Sequence, residues 1–138
     1  MNDIKKHEIS LIVQIALLMV IVRHGISIVT NLFYLTYLYD TLVPYFNIAM
    51  SIAMIYNMIL LLQKKSLGVY LFVTVQFISV SLHTMIDNDI ALHTFVAFLT
   101  CGVMFLLLQI RTDGVSAWKV ITSDEKKEKV ESKDSDKA

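Results

Sequence analysis

Two groups of residues in this 138-residue chain are of types that could do chemistry. The first is His83, Asp87, Asp89 and His93. Each histidine stands four residues from an aspartate, in mirrored order about Asn88. Residues at i and i+4 share a helix face. Two helices joined by a turn at 87–89 would therefore bring two imidazoles and two carboxylates together. That donor set suits Zn²⁺ or a related divalent ion. The same residues also read as ordinary loop chemistry. Asp89 would cap a helix, Asp87–Asn88 would turn the chain, and the histidines would sit at a polar boundary. The spacing is that of no established metal motif.

The second group centres on Arg23, the one charge in the apolar stretch from Ile9 to Tyr34. A charge at the bilayer centre costs about 2.5–3.5 kcal/mol on insertion scales. Ser27, Thr30, Asn31 and Tyr34 follow it at helical spacing. The spacing predicts that this face turns into a protein interior, with His24 on an adjacent face. An arginine so placed contacts an anion or substrate, carries gating charge, or anchors the packing by binding neighbouring amides and carbonyls.

Other apolar runs offer partners: Asn47, Ser51 and Asn57 in the second, Gln76 and Ser79 in the third. Polar side chains in lipid normally turn inward and hydrogen-bond between helices. Arg23, Ser27, Asn31, Asn47, Asn57 and Gln76 are thus the candidates for a polar-lined interior, either a wet path or packing. Met50, Met54 and Met58 recur every fourth residue, which suits core filling better than copper ligation. The one cysteine, Cys101, lies in an apolar run and forms no intrachain disulfide.

The elements that must position these residues are membrane helices. The chain is 56% hydrophobic, above the roughly 45–50% of soluble domains. Between Ile9 and Ile110 the formal charges are Arg23, Asp40, Lys64, Lys65, Asp87 and Asp89. All but Arg23 fall at breaks between apolar runs, and a run of about 20 residues crosses the hydrocarbon. The expected fold is all-α: a four-helix transmembrane bundle, up-down-up-down, with short loops. The expected helices cover 9–37, 42–63, 68–85 and 90–110, within one transmembrane domain at 9–110. Residues 1–8 form a short N-terminus rather than a cleaved signal, because the apolar run continues past Arg23 without a cleavage site. Pro44 suits the first turn of the second helix. Residues 111–121 read as an interfacial segment capped by Ser116, with Trp118, Val120 and Ile121 at the membrane surface. Residues 122–138, of mixed charge and without aromatics, read as a disordered tail. Lysine and arginine favour the cytoplasmic side of short loops. Lys5, Lys6, Lys64, Lys65, Arg111 and Lys119 alternate with Asp40, Asp87 and Asp89. Both termini and the tail are therefore expected in the cytoplasm.

The stretch LLLQIRTDGVSAWKVI resembles the C-terminal signature of small uncharacterised bacterial four-helix membrane proteins. In these a leucine-rich last helix ends in a basic residue, here Arg111, then a glycine, here Gly114, then Ser-Ala-Trp, here Ser116, Ala117 and Trp118. The turn Lys64–Lys65–Ser66–Leu67–Gly68 is similar to theirs as well. The resemblance implies the four-helix fold and a bacterial inner-membrane location, and it brings no established activity. Arg23 and the histidine–aspartate loop are outside it.

A net charge of zero gives no reason to expect nucleic acid. The sequence offers no nucleophile–base–orienter set, phosphate-cradling loop or cofactor fingerprint, and no cofactor is expected. The sequence reading is a non-enzymatic multi-pass membrane protein. Its partners would be the lipid bilayer and either a second copy or another membrane protein. The alternative is a small channel or transporter that moves an anion or proton past Arg23. A third class is a membrane-embedded divalent-metal site at His83, Asp87, Asp89 and His93.

Overall fold

The structure, a computed structural model, describes residues 8–37, 42–112 and 114–123. Lys5, Lys6, Asp40 and the tail from 124 onward lie outside these residues. Four helices follow one another: α1 (Leu11–Tyr37), α2 (Val43–Leu62), α3 (Leu67–Asp87) and α4 (Ile90–Gln109). Each packs on the next. All four are long and apolar enough to cross a membrane. The chain is an all-α four-helix bundle with the build of a multi-pass membrane protein.

Local chemistry sets the helix ends. Pro44 stands in the first turn of α2, where a missing N–H has no partner to lose. Lys64 takes a positive φ of 62° in the turn to α3. Asn88 does the same at 59° and donates its N–H to the Thr84 carbonyl at 2.9 Å, ending α3. Asp89 then caps α4 by accepting the Leu92 N–H at 3.1 Å. Asn88 suits that left-handed position because a short polar side chain tolerates it.

The core sits toward one end. Ile9, Val13 and Leu17 meet Met54, Met58 and Leu61 of α2, Phe72 and Val75 of α3, and Met104 and Leu108 of α4. Because successive helices run antiparallel, all of these lie in the half of the bundle nearest the described chain ends. After α4, strands β1 (Arg111–Thr112) and β2 (Val115–Ser116) pair antiparallel. Gly114 turns between them at φ +81°. A last helical segment, α5, covers 117–123, and Ser116 Oγ accepts the Lys119 N–H at 3.3 Å.

Here the structure departs from the sequence reading. Val120 and Ile121 do not present an outward apolar face. They enter the core at 3% and 0% exposure, together with Ala117, and Trp118 packs against that core half-buried. The reason is the reversal at Gly114, which folds the segment back under the bundle.

Helices α2 and α3 meet at Gly68. A Cβ there would come within 2.9 Å of the Asn57 carbonyl oxygen and 3.0 Å of the Leu61 side chain. A Cβ on Gly102 would meet nothing within 4 Å. Gly68→Ala should therefore cost about 1–3 kcal/mol by overpacking against backbone. Gly102→Ala should be neutral or slightly stabilising. Thermal unfolding in detergent micelles checks this; equal effects at the two sites would contradict the close α2–α3 contact.

Candidate functional site

The main polar feature is a seam between α1 and α2. Val13, Leu17, Val20, His24, Ser27 and Asn31 are spaced alternately by four and three residues. So are Asn47, Ser51, Met54, Met58 and Leu61. That alternation keeps one stripe of each helix facing its partner. The stripe changes character along its length. Val13, Leu17, Met54, Met58 and Leu61 are buried in the apolar core, whereas the other half is hydrogen-bonded.

In that half His24 Nδ1 lies 3.4 Å from Ser51 Oγ. Ser51 Oγ donates to Ser27 Oγ at 3.3 Å. Asn31 Nδ2 donates to the Ser27 carbonyl at 2.7 Å, and Asn47 Nδ2 donates to Asn31 Oδ1 at 3.4 Å. Asn31 and Ser51 are buried. The pairs Ser27–Ser51 and Asn31–Asn47 fix the register: four residues along α1 match four residues back along α2.

The structure brings Ser27, Asn31 and Asn47 together, as a polar interior requires, and leaves three other candidates elsewhere. Arg23 is exposed on a flank of α1, about 100° round the helix from His24, in a shallow apolar groove lined by Ile15, Leu18, Met19, Val22 and Ile26. The expectation that its face turns inward is corrected. The residue that turns inward is its neighbour His24. The cause is phase. At about 100° per residue, Ser27 lies within about 60° of both positions, so the spacing alone fits either. The buried stripe through Val13, Leu17 and Val20 continues to position 24 and not to 23.

Gln76 lies apart from the seam, in a groove between α3 and α4 with Val73, Phe77, Val80, Thr94, Ala97, Phe98 and Cys101. Asn57 is buried at 1% exposure on the α2 face that meets Gly68, and its Nδ2 has no hydrogen-bond partner among the described residues. Among the described residues no hydrogen bond joins any of this set to Arg23.

The histidine–aspartate group lies at the end of the bundle away from the core. The rings of His83 and His93 meet with centroids 5.2 Å apart. His83 Nδ1 is 2.9 Å from the Ser79 carbonyl oxygen. Asp89 is occupied as the α4 cap, and Asp87 closes α3. Among the described residues no three His, Cys, Asp or Glu side chains form a metal-sized cluster.

Sequence reasoning under-read His24 and Ser51, which sit at the centre of the seam. The signal that finds them is the alternating four–three spacing, not residue type. Comparison with protein families, with curated proteins and with solved structures finds no match to this chain.

The geometry separates two substitutions. Arg23→Leu removes a charge from an outward face and should leave unfolding of the bundle in micelles unchanged. It should ease insertion of α1 by about 2.5–3.5 kcal/mol in a translocon insertion assay. Asn47→Leu removes an interhelical hydrogen bond and should cost about 0.6 kcal/mol, the usual scale in membranes. If Arg23→Leu destabilised the bundle more than Asn47→Leu, the outward position of Arg23 would be wrong.

Proposed function

We propose that this integral membrane protein works by associating with another membrane protein through the outer face of α1, with Arg23 as the contact that selects the partner. The observation that carries this reading is a guanidinium on an apolar, outward helix face near mid-membrane. The register places Arg23 level with Ile55, one further four-residue step from Ser27 and Ser51. Ile55 is about 10 Å from one end of α2 and about 18 Å from the other at 1.5 Å per residue. Among the described residues no acid shares that depth: Glu8 precedes α1, and Asp87 and Asp89 stand at the turn between α3 and α4. Intramembrane charges pair with one another or line functional surfaces. A second copy is the poorer occupant, because a twofold contact through α1 would set two Arg23 cations against each other. A transmembrane helix carrying a carboxylate or a cluster of carbonyls and amides fits. Transport past Arg23 has less support, because the polar seam and Arg23 lie on different faces of α1.

We place the protein in a bacterial inner membrane, with both described chain ends on the cytoplasmic side. Four crossings return the chain to the side on which it started. Glu8, Gln14 and Lys64 share a polar groove at that end, and lysine-rich loops favour the cytoplasm. Green fluorescent protein fused after Lys65 should fluoresce, and alkaline phosphatase fused after Asp89 should be active; the reverse pattern would invert the topology.

A photo-crosslinking amino acid at Val22 or Met19, in native membranes, tests the association. It should give a discrete protein adduct that Arg23→Leu removes and that Phe98 on α4 does not give. Adducts to lipid alone at all three positions would defeat the proposal.

A further inference from the structure

We propose that His83 and His93 bind a divalent transition-metal ion at the end of the α3–α4 hairpin. This inference is independent of the α1 face. It begins from the distance between the two rings. Their centroids are 5.2 Å apart and their planes tilt by 41°. A Zn–N bond is about 2.0–2.1 Å, and a ring nitrogen lies about 1.2 Å from its ring centre, so two imidazoles on one tetrahedral ion place their centres about 5.2 Å apart. The hairpin therefore holds the rings at the separation the ion requires, without moving a helix.

The second observation is the orientation of His83. Its Nδ1 faces the Ser79 carbonyl oxygen at 2.9 Å. A carbonyl only accepts, so Nδ1 carries the proton and Nε2 carries the lone pair. A backbone carbonyl holding the far ring N–H is the usual means by which a metal-binding imidazole is fixed in tautomer and angle. Both rings are half-buried between α3 and α4, which limits their rotation.

The third is the turn that sets the pair. Asn88 in its left-handed conformation and the Asp89 cap reverse the chain within two residues, so the two rings come together across adjacent helix ends. The chain supplies two imidazoles, and no third ligand joins them among the described residues. Asp87, four residues after His83, is the nearest further donor in sequence. Imidazole donors suit Zn²⁺, Cu²⁺ and Ni²⁺ rather than Mg²⁺ or Ca²⁺.

The test uses the full chain, purified in detergent without a polyhistidine tag. Zn²⁺ binding is followed by calorimetry, and Cu²⁺ binding by electron paramagnetic resonance. Wild type should take one ion per chain, and the Cu²⁺ spectrum should show two imidazole nitrogens. His83→Ala and His93→Ala should each weaken Zn²⁺ by tenfold or more, the scale on which even outer-shell partners act. His7→Ala should leave binding unchanged. The proposal fails if wild type binds no ion, or if binding at the same affinity persists in the double variant His83→Ala/His93→Ala. The nitrogen count on wild type decides the case even if a variant folds poorly: fewer than two nitrogens overturns the site.

Discussion

Inside a bilayer an apolar side chain gains little by leaving lipid for protein, so helices there are held by close packing and by hydrogen bonds between them. That constraint explains why the seam between α1 and α2 governs this fold. Ser27 with Ser51 and Asn31 with Asn47 are the pairs that distinguish one register from another. A slip of one stripe position would set Asn31 against Pro44 and Asn47 against Ser27, or Asn31 against Ser51 and Asn47 against Tyr34, and either way break the Asn31–Asn47 pair. With the register fixed, the short turn at 63–66 delivers Gly68 onto the backbone of α2. The tight approach of α3 depends on a position with no side chain to displace.

The two ends of the bundle use different physics. Toward the described chain ends the seam is apolar, and the final segment closes it by inserting Ala117, Val120 and Ile121. Water lies close by at that end, so the ordinary hydrophobic effect operates, and burying a side chain such as Ile121 contributes about 1.5–3 kcal/mol. Toward the other end the same stripe is serine, asparagine and histidine. Flexible Met54 and Met58 fill the middle, where the two regimes meet and an unbranched side chain adapts to irregular gaps.

Much of this was legible in the chain itself. Asp40, Lys64, Lys65, Asp87 and Asp89 mark every break between apolar runs, because a charge is cheapest where the chain leaves the hydrocarbon. Asp89 is read correctly as a cap from its position before an apolar run. What was not legible was helix phase. The residues after Arg23 include polar ones that suit both its face and that of His24, and a type-by-type reading favours the larger charge. Only the pattern of small and apolar residues on both helices separates them, since a seam must match a seam. The inward burial of the final segment was not legible for a related reason. Trp118, Val120 and Ile121 have the composition of an interfacial helix, and nothing local reveals that Gly114 turns them inward.

The length of α1 ties these features together. It has 27 residues against 20 in α2. The seam register sets Leu62 level with Ala16, so Leu11–Ile15 projects past the end of α2. That extra turn carries Val13, with Ile9 just before it, and both belong to the core cluster that also takes in Ala117, Val120 and Ile121. The same geometry fixes the depth of Arg23. Its side chain leans toward the helix N-terminus, as all helical side chains do, and so toward the nearer edge of the membrane. That edge is still about 10 Å from the level of its backbone, more than the side chain spans. Leaning lowers the cost of the charge without removing it. Among the described residues no acid lies at that depth to meet the remainder, which is the ground for the partner contact proposed on the face that bears Arg23.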